Sequence, residues 1–240
     1  MGRQTRERLL QEAAKLFAEQ GFRGVSVRDV TGVAEANVAS VSYHFGSQQG
    51  LIEAVHETYL MPVLSQREAN LQKLSSRVAL RELLKGWMQS LIESAQASEL
   101  GADRFFSLNL SALEFGRREQ TEFSKSRAKL CKDCDRLAAA SLPGLAEGTR
   151  RWRLHWALEL LERSLVRGED LKFFIGRVPT KIPLDDLVEK LLDYAEGGIC
   201  APVARGDGLK GQTAKSQSKS GTSRRSSRQT GSPEQNEFLF

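Results

Sequence analysis

Three groups of residues in this 240-residue chain have types and spacings that can do chemistry. The first is Ser26-Val27-Arg28-Asp29, a serine followed three residues later by a carboxylate, the spacing of a capping box at a helix start. Asn37 can cap a further helix, Val38 to Phe45, and Ser47 can cap another that begins at Gln48. Two short helices joined by a tight turn, Ala34 to Ala36, make a helix-turn-helix over about residues 26–45, whose second helix can enter the major groove of DNA. The second group is Cys131-x-x-Cys134, a spacing used by metal and redox pairs. Its thiols share an apolar helical stripe with Leu130, Leu137 and Ala138, which favours packing and inert sulfurs. Neither a second cysteine pair nor a nearby histidine completes a zinc site, so no metal or cofactor is expected. The third group is a run of seven basic residues from Arg205 to Arg228 in which Asp207 is the only acid.

The elements that must position these groups are helical. Leu80, Leu83, Leu84, Trp87, Met88, Leu91, Ile92 and Ala95 recur at three- and four-residue steps, as do Leu184, Leu187, Val188, Leu191, Leu192, Ala195 and Ile199. Arg6 to Gln20 places Leu10, Ala13, Ala14 and Phe17 on one face, and Gly21 suits a left-handed cap after it. Phe105 to Phe115 is apolar nearly all round and predicts a central buried helix. Thr149 to Val166 carries two stripes, Leu154, Ala157, Leu161 and Leu165 on one side and Trp152, Trp156 and Leu160 on another, so it needs two neighbours. No long alternating run suggests a strand, and the fold class is all-α.

Composition narrows the function classes. Apolar residues at 40% and charged residues at 27% exclude a disordered chain. The longest apolar stretches fall short of the ~18 residues of a membrane span, and the start, with Arg3, Arg6, Glu7 and Arg8, is not a secretory signal. Three cysteines, an odd number, point to a reducing cytoplasm. The net charge is +5, but residues 201–240, with seven basic and three acidic side chains, hold +4 of it. That tail is predicted to be disordered. It either adds nonspecific phosphate contacts on flanking DNA or only aids solubility. The enzyme class lacks support: there is no nucleophile elbow or phosphate-cradling loop, and the histidines lie apart at 44, 56 and 155.

The run Leu9-Leu10, Leu16-Phe17-Ala18-Glu19, Gly21-Phe22, Ser26 to Val30, Asn37 to Ser47 and Gly50-Leu51 resembles the N-terminal domain of TetR-family transcriptional regulators, in order and spacing over about residues 5–60. The resemblance implies a bacterial, cytoplasmic, nucleoid-associated homodimer. It would have a three-helix DNA-binding domain at 3–63, a larger helical ligand-binding and dimerisation domain at 64–200, and the disordered basic tail at 201–240. Dimerisation would fall on the helices at 149–166 and 184–199. Carried over by position, Arg28 would read a base edge, since arginine binds guanine O6 and N7 with two hydrogen bonds. Val38, Ala39 and Ser42 would form the exposed face of the recognition helix, with Val41 and Phe45 packed inward. Ser40, Tyr43 and His44 match positions that contact phosphate, although Tyr43 and His44 also read as structural residues at a helix end. Gln48 stands where the family has lysine, and Glu35 where it has a turn glycine; both weaken nonspecific affinity.

Asn37 to Phe45 is also similar to one branch of the family, the repressors that respond to long-chain fatty acids, which implies an acyl effector. Trp87, Phe105, Phe106, Leu110, Phe115, Trp152 and Trp156 would line an apolar pocket, or else simply fill the core. The tail ends in Gln235-Asn236-Glu237-Phe238-Leu239-Phe240, which loosely resembles the Gln-led peptides that dock on bacterial sliding clamps, through Gln235, Phe238, Leu239 and Phe240. The leading expectation is a repressor released from a palindromic double-stranded DNA operator by a small apolar effector. The competing expectation is a tail-driven DNA-associated or interaction protein with a degenerate helix-turn-helix.

Overall fold

The computed structural model describes residues 2–74, 78–166 and 183–202. All of them lie in one compact unit, Met1–Asp207. Residues 203–240, with the basic run and the clamp-like Gln235, Phe238, Leu239 and Phe240, lie outside the described residues. Among the described residues all regular structure is helical.

Helix α1, Gly2–Gln20, buries Leu9, Leu10, Ala13, Ala14 and Phe17, the spacing of a single helical face. It stops where Gly21 turns left-handed, with φ +74°, and Gly21 N–H donates to Phe17 O at 3.0 Å. A side chain at Gly21 would be strained in that conformation. Helices α2 (Val27–Val33), α3 (Val38–Phe45) and α4 (Gln48–Val55) follow and pack on α1. Val30, Val41, Leu51, Ile52 and Val55 turn inward against its buried face.

The chain then passes without a break from head to body. A π-helical turn, His56–Leu60, joins α4 to α5, Met61–Lys73. The boundary expected after residue 63 therefore falls inside α5. The body continues with α6 (Leu80–Ala97), α7 (Ala102–Gly116), α8 (Glu122–Ser141), α9 (Glu147–Arg163) and α10 (Leu184–Cys200). The stripe on α6 is buried from Leu80 to Ala95 except for half-buried Ile92. On α10, Val188, Leu192, Ala195 and Ile199 are buried against α9 and α6. Helix α1 lies along α7, which fixes the head on the body.

Two helices differ from the expectation in detail. Helix α7 is central, but it is not wholly apolar inside: Asn109 is buried, and Leu110 is only half-buried. Helix α9 buries Leu154, Ala157, Leu158 and Leu161, while Trp152 and Trp156 on its other side are 59% and 54% exposed. The second stripe has no cover within the described residues of one chain. Cys134 is buried on α8, Cys131 is half-buried and Cys200 is exposed; all three are free thiols. Burial pushes the Cys131 and Cys134 thiols up, which disfavours the reactive thiolate. Among the described residues no cluster of His, Cys, Asp or Glu could hold a metal ion. Nor is any helix among them long and apolar enough to cross a membrane.

Candidate nucleic-acid interface

The exposed face of the head is built by caps. Ser26 Oγ accepts from the Asp29 N–H at 3.3 Å, and Asp29 Oδ2 accepts from Ser26 N–H at 2.8 Å and from Ser26 Oγ–H at 2.6 Å. Those bonds from Ser26 hold the Asp29 carboxyl below its usual range. The box starts α2 at a fixed residue and so fixes the exit direction of Arg28, which is exposed. At the C-terminal end, Ala34 N–H donates to Val30 O and Ala36 N–H to Thr31 O, both at 2.9 Å.

Glu35 is left-handed with φ +47°. Backbone of that kind disfavours a side chain. An outside brace holds it: Arg8 on α1 donates from Nη2 to Glu35 O at 3.1 Å. Asn37 Oδ1 then accepts from Ala39 N–H at 2.9 Å and starts α3. Val41 is the buried anchor of this helix, and Phe45 is half-buried beneath the Arg6 guanidinium, 5.2 Å from its ring centre. With those two turned inward, Val38, Ala39, Ser42 and Tyr43 face out, Tyr43 being 84% exposed. Ser40 and His44 are half-buried at the flank, and the His44 ring meets Tyr43 edge-on at 4.9 Å.

Helix α3 ends at Gly46, φ +77°, and Ser47 Oγ accepts from Gly50 N–H at 3.0 Å to start α4. Gly50 is required by close approach, because a Cβ there would run into the Phe45 carbonyl. Gln48 is exposed, but its Nε2 donates to Val25 O at 2.8 Å. That bond ties the start of α4 to the loop before α2, and a phosphate contact by the same nitrogen would have to exchange it. Sequence reasoning missed this tie and the Arg8 and Arg6 braces. Each joins positions far apart in the chain, and no local spacing signals it.

The residues expected around an effector are not gathered about one cavity. Phe105 and Phe106 are core side chains. Phe115 lines a cleft of about 440 Å³ with Phe22, Arg23, Arg117 and Arg118, between the end of α1 and the end of α7. Trp152 and Trp156, their rings 6.0 Å apart, line a separate groove of about 350 Å³ with Leu160, Tyr194 and Ile199 on α9 and α10. Trp87 is buried and points its Nε1–H at Glu162 Oε1, 2.7 Å away.

Two polar features inside the body were not foreseen. His56, 3% exposed, has no hydrogen-bond partner for either ring nitrogen and sits among Phe22, Phe123 and Phe115 at 4.9, 5.4 and 6.4 Å. Burial pushes its pKa down to about 4, against a smaller upward pull from Glu53. Glu162 on α9 is buried with Arg67 from α5, at 3.1 Å. Burial alone would raise the Glu162 carboxyl, but Arg67 and Arg127, with bonds from Asn109 and Trp87, hold it at about 2. One sequence signal existed for these: Arg67 occupies a core position in the stripe Val63, Leu64, Leu71, and Glu162 one in the stripe Leu154, Leu158, Leu161. A charge at a core position of a helical stripe implies a buried partner elsewhere.

With this geometry, known proteins give a consistent comparison. Residues 9–55 match the family model described as bacterial regulatory proteins, tetR family. Over 81 residues the chain is 30% identical to the probable HTH-type transcriptional regulator YttP of Bacillus subtilis, covering 34% of this chain and 39% of that one. It is 33% identical over 82 residues to the HTH-type transcriptional repressor NicS of Pseudomonas putida, covering 33% of this chain and 38% of that one. The chain thus spans less than half the length of these curated relatives in either match. Its fold is similar to the crystal structure of PfmR, a TetR family transcriptional regulator from Thermus thermophilus. The TM-score is 0.53 at 18% identity, covering 80% of this chain and 97% of that one.

Proposed function

We propose that the chain is a DNA-binding transcriptional regulator of the tetR family, a repressor that leaves a palindromic operator when a small effector binds its body. The observation that carries this reading is the capped α2–turn–α3 unit inside the matched segment, which presents Arg28, Val38, Ala39, Ser42 and Tyr43 together at the surface. An arginine beside a small apolar helix face suits a guanine next to thymine methyls. Ser40, Tyr43 and His44 set the register by phosphate contacts. Gln48, already bonded within the head, contributes mainly by holding the start of α4.

The protein acts as a homodimer. Trp152, Trp156 and Tyr194 make an exposed aromatic groove on α9 and α10, the kind of patch a monomer rarely leaves bare. A second copy covering it would bring two heads to half-sites about 34–36 Å apart. The likeness of Asn37 to Phe45 to fatty-acid-responsive repressors supports an acyl effector. The effector would act by changing the head spacing, because α1 is packed along α7 of the body.

The test is selection of genomic DNA fragments by the purified chain, with Arg28→Ala and a truncation ending at Ala201 in parallel. The expected result is one palindrome enriched by the intact chain and the truncation, and lost in Arg28→Ala. No motif, with binding abolished by truncation, would move the basic tail to first place as the DNA-binding element.

A further inference from the structure

The turn between α2 and α3 is held from outside. Ala34, after α2, is helical with φ −76° and ψ −1°, and Asn37, before α3, is extended with φ −75° and ψ 144°. The left-handed step between them is Glu35, φ +47°, the only non-glycine with positive φ among the described residues. Such backbone crowds Cβ against the following carbonyl, so a glutamate keeps it only under constraint. The Glu35 carbonyl accepts from Arg8 Nη2 on α1 at 3.1 Å, across 27 residues of chain. Arg8 and Glu35 are both exposed. The bond therefore buries nothing; what it supplies is a fixed direction for the peptide that leads into α3.

The rest of the head is anchored independently of that bond. The Ser26–Asp29 box fixes the start of α2, and with it Arg28. On α3, Val41 is buried and Phe45 lies half-buried beneath Arg6, 5.2 Å from guanidinium carbon to ring centre. A relaxed turn would therefore pivot α3 about its far end rather than detach it. Val38 lies about 10 Å along the helix from Phe45, so a tilt of about 10° carries it about 2 Å. A binding constellation must be held within about 0.5 Å. Arg28 would stay while the near end of α3 moved, and the two halves of the exposed face would part.

We propose that Arg8 is a positioning residue for operator recognition: its bond to the Glu35 carbonyl holds the left-handed turn and so sets where Val38, Ala39 and Ser42 stand relative to Arg28. Operator recognition rests on the regulator reading above; the hold on the turn does not. The role is separable from a phosphate contact by the same exposed guanidinium. Glycine enters the left-handed region freely. Glu35→Gly thus keeps the turn without its brace and leaves any phosphate contact as it was. Glu35→Gln removes the same negative charge but keeps the strained backbone.

The experiment makes Arg8→Ala in three backgrounds: the intact chain, Glu35→Gly and Glu35→Gln. Each is titrated, at several salt concentrations, on the palindrome that the intact chain selects and on a scrambled fragment. In the intact and Glu35→Gln backgrounds Arg8→Ala is expected to lower the ratio of specific to nonspecific affinity at least about tenfold, the scale of one base-edge contact. In the Glu35→Gly background the ratio should change by less than about threefold. A second readout needs no DNA: the Ala36 amide, which donates to Thr31 O at 2.9 Å, should exchange with deuterium about tenfold faster after Arg8→Ala, but not when Glu35→Gly is also present. An unchanged ratio, or the same loss in all three backgrounds, overturns the proposal. So does an equal loss on both fragments with a salt slope shallower by about 0.9, the mark of a phosphate contact. If the intact chain selects no palindrome, the regulator reading fails and amide exchange decides the rest. Faster exchange cured by Glu35→Gly then keeps the hold on the turn, and unchanged exchange removes it.

Discussion

The head, α1 to α4, and the body, α5 to α10, use polar groups in opposite ways. In the head the bonds that start the helices span two or three residues: Ser26 with Asp29, Asn37 with Ala39, Ser47 with Gly50. These bonds lie at the surface and their work is directional, starting each helix at one residue so that the next exposed row is aimed. In the body the corresponding groups are buried and joined over long separations, 75 residues from Trp87 to Glu162 and 53 from Asn109 to Glu162. There the polar bonds hold helices together. A surface cap can be lost at small cost; a buried charge does not tolerate loss of its partner.

That contrast is sharpest at Glu162. Glu162→Gln removes the carboxylate that Arg67 and Arg127 share, and is expected to destabilise the chain by about 3–5 kcal/mol in denaturant melts. A loss below that of a cap substitution would mean that the body's charges are solvated and the contrast is false. Acid is expected to act next, and again on the body. His56 is neutral in both folded and unfolded chains above pH 6.5; below it the unfolded chain takes up a proton that the folded chain refuses until about pH 4. Stability should therefore fall through that window, by roughly 3 kcal/mol in all. His56→Leu should flatten the slope. Glu162 works lower: its contribution is lost only as pH falls from 4.5 toward 2.

The head gives smaller effects. Ser26→Ala is expected to cost about 1 kcal/mol, read in the same melts, with a larger loss of operator selection than of stability because the aim of Arg28 goes with the cap. Glu35→Gly should stabilise by about 1 kcal/mol, since the left-handed backbone at that position suits glycine. It also removes a negative charge from the turn and should tighten nonspecific DNA binding at low salt.

How far sequence carried each region follows from the same contrast. The capping box at Ser26, the Asn37 and Ser47 caps and the glycine stop at Gly21 are local, and their spacing alone places them. The stripes on α6 and α10 are local in the same sense. Arg8 reaching Glu35 O, and Gln48 reaching Val25 O, close over 27 and 23 residues, and no periodicity encodes them. The aromatics read together as a pocket lie in separate places: Phe105 is core, Phe115 lines the cleft beside α1, and Trp152 faces out. Aromatic type reports the area to be buried and not which neighbour buries it. Arg67 and Glu162 were legible only as anomalies on apolar stripes, because their partners come from other helices.

The π-helical turn at His56–Leu60 sets a phase between the two regions. Met61 N–H donates to His56 O, five residues back, so the turn holds one residue more than an α-helix would. The wider turn absorbs that extra residue, so removing it would restore regular winding and leave the helix on either side close to its original phase. A residue gained or lost in the regular helix to either side has no such buffer and would rotate all that follows by about 100° about the helix axis. A chimera that grafts this head onto another body must therefore match the residue count to the winding of its junction, one fewer where the junction is plain α-helix, even where it changes every side chain there.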